Sequence, residues 1–193
     1  MTTAARDTAG RSRFVPGQPD MWAFVLFESL VFTVYFTVYL VHRSQDLDLY
    51  RQSQTHLDLH IGVFNTLVLL VSSGSMARCV QAARECAYRT ALTNAVWTLL
   101  FGFVFFVSKV FEWTTEIERG FTFSTNEFFQ FYYFLTAIHF LHLLIGFVVL
   151  AVGVRELRSP ARRSQETIET CATYWHTIDY LWVLIFALLY VVR

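Results

Sequence analysis

Residues 128–154 read FFQFYYFLTAIHFLHLLIGFVVLAVGV, a run with no formally charged residue and only Gln130, His139 and His142 as strongly polar interruptions. As an α-helix it rises 1.5 Å per residue, or about 40 Å in all. A hydrocarbon core about 30 Å thick is crossed by roughly 20 such residues. This stretch therefore reads as a membrane span.

Four further runs pass the same length test, giving spans at 22–41, 61–77, 91–113, 128–154 and 171–192. The whole chain supports the assignment. Its 193 residues are 55% hydrophobic and 16% charged, against about a quarter charged in soluble domains. The connections between spans are short and polar, so the expected fold class is all-α: an integral membrane bundle of five transmembrane helices over residues 21–193. A polar arm, residues 1–20, precedes it. The first run is too long for a signal-peptide core, contains Glu28 and is followed by no clear small-x-small cleavage pattern, so it reads as a span. No basic patch suggests nucleic acid.

Basic residues are divided unevenly between the two ends of the spans. The arm and the second and fourth connections hold Arg6, Arg11, Arg13, Arg78, Arg84, Arg89, Arg155, Arg158, Arg162 and Arg163; the other side holds Arg43, Arg51, Arg119 and Arg193. The positive-inside rule then places the N-terminus in the cytoplasm and the C-terminus outside.

Other residues read as structural. Trp22, Trp113, Trp175, Tyr39 and Tyr190 fall near expected span ends, where aromatic side chains anchor to the interface. Gly102, Gly146 and Gly153, with the small run Ser72, Ser73, Gly74 and Ser75, are expected to let helices approach closely. Cys79, Cys86 and Cys171 lack a Cys-x-x-Cys spacing and read as small apolar fillers near helix ends.

The chemistry, if any, lies in ionisable residues within the spans. Each such charge costs at least about 2.5 to 3.5 kcal/mol at membrane depth, so each should face protein, headgroups or water. Three pairs are spaced i, i+3, placing both members on nearly one helix face: Lys109 with Glu112, His139 with His142, and His176 with Asp179. Lys109 and Glu112 can neutralise each other as a packing pair, contact a lipid headgroup or partner subunit, or lie on a proton path. The histidines can hydrogen-bond across helices. Haem or metal ligation competes with that reading, because imidazole is a common ligand. Two histidines on one face cannot supply opposed axial ligands, and His176 would have to oppose them from the fifth span. Asp179 can fix the tautomer of His176 or pair with its charged form. Glu28 lies about 10 Å inside the first span, where a carboxyl is expected to be neutral or paired with a histidine. Neither a nucleotide-binding loop nor a metal-ligand set is present, so catalysis by this chain alone has little support.

The residues together resemble the cytochrome c oxidase subunit III family of haem-copper oxidases. The resemblance runs from Trp22 to the C-terminus. It is carried by Trp22 with Phe27-Glu28, by Asn65-Thr66 followed by Leu69-Leu70-Val71-Ser72-Ser73, and by Glu112-Trp113. The fourth span adds Thr136-Ala137-Ile138-His139-Phe140-Leu141-His142 with Gly146, and the fifth Tyr174-Trp175-His176 with Asp179 and Trp182. It implies a short, five-helix, non-redox subunit in the inner (plasma) membrane that supports the stability and proton uptake of a catalytic subunit I in aerobic respiratory electron transport. Haem and copper would sit in that partner and none in this chain, with phospholipid as a further ligand. Glu28 corresponds to the family's buried carboxylate, and Asn65, His139, His142, His176 and Asp179 to its polar core. Lys109 stands where oxidase members typically have glutamine, Ala137-Ile138 where they have glycine and phenylalanine, and Thr177 replaces an aromatic. Those departures lean toward the NorE-like accessory branch of nitric oxide reductase. A small haem-binding membrane cytochrome is the reading from another class.

Overall fold

A computed structural model describes residues 18–161 and 163–192. Most of the arm, with Arg6, Arg11 and Arg13, lies outside the described residues, as do Arg162 and Arg193. Six helices follow in order: α1 Pro19–Gln45, α2 Leu47–Gln54, α3 Leu59–Arg84, α4 Tyr88–Glu118, α5 Glu127–Arg158 and α6 Gln165–Phe186. Five are long and apolar enough to cross a membrane. All five begin before the apolar segments of the sequence and the first four also end after them, because polar turns continue the helix beyond the hydrocarbon-like core.

Local chemistry sets the ends. Pro19 occupies the first turn of α1, where its missing N–H costs nothing. Asp58, Asn126 and Ser164 accept backbone N–H groups at the starts of α3, α5 and α6, satisfying donors that a helix start leaves free. The tight turn from α3 to α4 places Cys86 at φ 57°, with Ala87 N donating to Ala82 O at 2.8 Å. That left-handed position favours glycine and strains a residue with a Cβ by about 1–2 kcal/mol. Cys86 is exposed, so it is a strained turn residue and not an apolar filler. Cys86→Gly is expected to stabilise the protein by on the order of 1 kcal/mol, read as a higher thermal midpoint in detergent; an unchanged or lower midpoint would contradict this.

Helices α3 to α6 form the main bundle, with α6 the most enclosed and α1 the least. The wedge is Trp175, fully buried on α6. A Cβ added at Gly102 of α4 would come within 2.8 Å of its ring, and one at Gly146 of α5 within 3.1 Å. These glycines therefore make room for an indole, a different use from the close backbone approach expected of them. Trp175 Nε1 donates to Ser72 Oγ at 3.1 Å, and Ser72 Oγ in turn donates to Thr98 O at 3.0 Å, joining α6, α3 and α4. Gly74 faces open space. Trp175, Tyr39 and Tyr190 are buried and so are core residues, whereas Trp22 is exposed as an interfacial anchor would be.

The short helix α2 is absent from the sequence expectation. It is amphipathic and begins with Asp46 capping Leu49 N. Its Gln54 side chain reaches the carbonyls of Leu188, Leu189 and Val192 at 3.4, 3.2 and 3.0 Å. Those carbonyls belong to the π-helical turn Ala187–Val191 and the residue after it, which need partners at a helix end. Tyr50 of α2 donates to Glu127 at 3.3 Å, and His42 of α1 lies 2.7 Å from the same carboxylate. Burial, and then Glu127, raise the Tyr50 phenol above its ordinary pKa, which keeps it a neutral donor.

Candidate functional site

Lys109 and Glu112 lie inside the bundle at its C-terminal end, each side chain 1% exposed and 3.1 Å apart. The ammonium has three protons, and three acceptors surround it: Glu112 Oε1, the Tyr132 hydroxyl at 3.1 Å and the Tyr190 hydroxyl at 2.9 Å. Both phenols in turn donate to Glu112 Oε1, Tyr132 at 2.8 Å and Tyr190 beside it. The Lys109 charge also sits 4.6 Å from the Tyr132 ring centre and 5.3 Å from that of Trp182, a favourable cation–π placement. α4, α5 and the π-helical turn thus close around one neutralised pair. Of the readings open to Lys109 and Glu112, this geometry fits the packing pair, since both are covered by this chain's own side chains. One turn on, buried Glu116 pairs with Arg119 at 3.0 Å.

The second pair separates. His139 is 1% exposed and packs on Phe105 and Trp182; neither ring nitrogen has a hydrogen-bond partner among the described residues. His142, three residues on, faces α1 instead. Its Nε2 lies 3.3 Å from Glu28 Oε2, and its Nδ1 lies 2.8 Å from Ile138 O. A carbonyl oxygen only accepts, so Nδ1 must carry a proton. Nε2 can then meet the Glu28 oxygen favourably only when one further proton lies between them, on the imidazole or on the carboxyl. Glu28 and His142 thus meet at the junction of α1 and α5.

The third pair is the loosest. His176 Nδ1 is 2.7 Å from Ser73 Oγ and 3.9 Å from Asp179 Oδ2. Asp179 is 4% exposed and accepts no hydrogen bond among the described residues. Asn65 is fully buried, likewise without a hydrogen-bond partner there. One end of this α3–α6 seam is closed by Arg84 on Glu169 at 2.9 Å, with Gln165 on the same oxygen at 2.8 Å.

The three histidines therefore turn into three different seams: His139 toward α4 and α6, His142 toward α1, His176 toward α3. Among the described residues no group of three His, Cys, Asp or Glu side chains could hold a metal ion. Sequence reasoning missed Tyr132 and Tyr190 as partners of Lys109. The signal was a lone lysine in a span, which needs more than one acceptor.

The family described as "Cytochrome c oxidase subunit III" matches residues 18–192. The chain belongs to this family. Subunit III relatives include "Cytochrome c oxidase subunit 3" of Synechocystis, 29% identical over 98% of this chain and 87% of that protein. "Cytochrome bo(3) ubiquinol oxidase subunit 3" of Buchnera aphidicola is 25% identical over 88% of this chain and 83% of its own length. The "Heme-copper oxidase subunit I+III" of Aeropyrum pernix is 23% identical over 89% of this chain and 22% of that longer protein. As a subunit III with five apolar helices, this is a multi-pass membrane protein.

Proposed function

We propose that this subunit III stabilises the catalytic subunit of a haem-copper terminal oxidase and supports proton uptake into it, carrying no redox centre itself. The observation that carries the proton role is the Glu28–His142 pair: the Ile138 carbonyl holds a proton on imidazole Nδ1, and Nε2 faces, 3.3 Å away, a carboxyl that can exchange one. The fused Aeropyrum relative supports the partnership, since its printed name joins subunits I and III in one chain. Haem and copper then belong to the partner.

The proposed orientation puts the N-terminal face in the cytoplasm, at the inner (plasma) membrane. Arg78, Arg84, Arg89, Arg155, Arg158 and Arg163 lie toward that end of the described spans, against Arg43, Arg51 and Arg119 at the other, in keeping with the positive-inside rule. A cavity of about 620 Å³ at the N-terminal face joins apolar Leu99, Ala151 and Val154 to Arg155 and Arg158. That combination suits a phospholipid, acyl chain below and phosphate above.

Glu28→Gln tests the proton role. The amide can still donate to His142 Nε2, so the bundle is expected to fold and assemble normally, but the exchangeable proton is gone. The purified oxidase carrying Glu28→Gln is expected to lose activity several-fold faster than the parent during sustained turnover. Equal decay over a long assay would count against proton support by this pair.

A further inference from the structure

Two carboxylates at the C-terminal end of α4 are each satisfied on one oxygen only. Glu112 Oε1 accepts from Lys109, Tyr132 and Tyr190, and Glu116 Oε1 accepts from Arg119. Glu112 Oε2 and Glu116 Oε2 are both buried and have no hydrogen-bond partner among the described residues, although the two side chains are only 1% and 2% exposed. Residues four apart lie one above the other on a single helix face. A buried oxygen left without a donor is costly, and more so on a charged group, so two such oxygens on neighbouring turns require a donor they can share.

Charge identifies that donor. Lys109 already neutralises Glu112 and Arg119 neutralises Glu116, so a metal cation or an added proton would leave a positive charge buried without a counter-charge. Two further side chains lie within electrostatic range of Glu116, His56 from the α2–α3 connection and Tyr133 from α5. Neither reaches the free oxygens. Tyr133 donates its proton to Phe121 O at 2.6 Å, and the His56 ring lies against Phe121 with centres 4.3 Å apart. Water fits both counts, being neutral and carrying two protons for two acceptors, and internal waters characteristically join buried polar groups in this way. The position gives it a way in. The apolar run of α4 ends at Trp113, Glu116 lies about 4.5 Å beyond it, and the Arg119 side chain is 54% exposed.

We propose that one internal water bridges Glu112 Oε2 and Glu116 Oε2, and that through it the buried Lys109 network exchanges protons with the aqueous phase at the C-terminal end of the bundle. Lys109, Glu112, Glu116 and Arg119, at positions i, i+3, i+7 and i+10 of α4, then form one hydrogen-bonded file from the interior to the surface. The file has one open end. Inward of the ammonium lies the Trp182 ring, 5.3 Å from it, with Phe105 packed edge-on at 4.7 Å.

Infrared spectroscopy of the full-length chain in lipid nanodiscs reads the exchange. On mixing with D2O, the Glu112 carboxylate bands, identified by their loss in Glu112→Gln, are expected to shift as the protons around them are replaced. Glu116→Leu removes the second acceptor and is expected to slow that shift by roughly tenfold or more, the worth of one hydrogen bond to a charged group. Glu116→Gln keeps an oxygen that accepts from water and is expected to slow it far less. An unchanged rate in Glu116→Leu, with the Glu112 bands intact, would overturn the exchange route. The water is tested in the parent protein, where an electron cryo-microscopy map that resolves waters is expected to show one density within hydrogen-bond reach of both Oε2 atoms. A dry gap there, or a bound metal ion, would overturn the site. Direct contact between the two carboxyls, with a protonated-carboxyl band that disappears in Glu116→Gln, would overturn it in favour of a shared proton.

Discussion

Lys109→Met is expected to destabilise the chain by on the order of 3–5 kcal/mol, because it leaves the Glu112 carboxylate buried without its counter-charge. The tyrosines cannot replace the cation. Tyr132 and Tyr190 already donate their single protons to Glu112, so removing the ammonium adds no donor and strips three hydrogen bonds. The double variant Lys109→Met with Glu112→Gln is expected to recover most of the loss, since replacing both charges removes the penalty of an unpaired ion. Thermal unfolding of the parent, the two single variants and the double variant in detergent measures the coupling. Additive losses would show that the pair is not a unit.

The second large effect concerns the seat of Trp175. Trp175→Ala is expected to cost on the order of 3–5 kcal/mol, as for other fully buried tryptophans. From the other side, Gly102→Ala pushes a methyl against the rigid indole and Phe147, at 2.8 and 3.0 Å, with an overpacking cost of about 1–3 kcal/mol. Gly146→Ala should be milder, because its tightest contact, at 2.6 Å, is with the flexible end of Ile178. Combining Gly102→Ala with Trp175→Phe should recover part of the loss. Gly102→Ala as stable as the parent would mean that the indole does not sit against Gly102.

Length and hydropathy made the five spans legible, since a bilayer admits only helices of a certain length with their backbone satisfied internally. The side on which each polar residue faces was far less so. Spacing of three placed His139 and His142 on one face, yet a helix turns about 300° over three residues. The remaining 60° was enough to send one ring to the α4–α6 core and the other to Glu28 on α1. Trp175 looked interfacial because the apolar run begins only at Cys171, whereas the helix starts at Gln165 and two glycines on other helices receive the ring. Those glycines were visible as small residues, but their partner was not. Helix α2 escaped notice because eight largely polar residues carry no span signal, although Asp46, Tyr50 and Gln54 are the residues that dock it.

In the proposed assembly, the pairing of Glu28 with His142 serves a larger enzyme. The most direct measurement is purification of the tagged chain from native membranes in mild detergent, with the visible spectrum and the identity of co-eluting proteins recorded together. The account predicts a haem-bearing catalytic subunit of a haem-copper oxidase in the same fraction, and no haem absorbance from the chain once separated; a nitric oxide reductase in its place would instead assign the chain to the accessory branch. Elution of the chain alone in several mild detergents, or a Soret band of its own that disappears in His142→Ala, would contradict it.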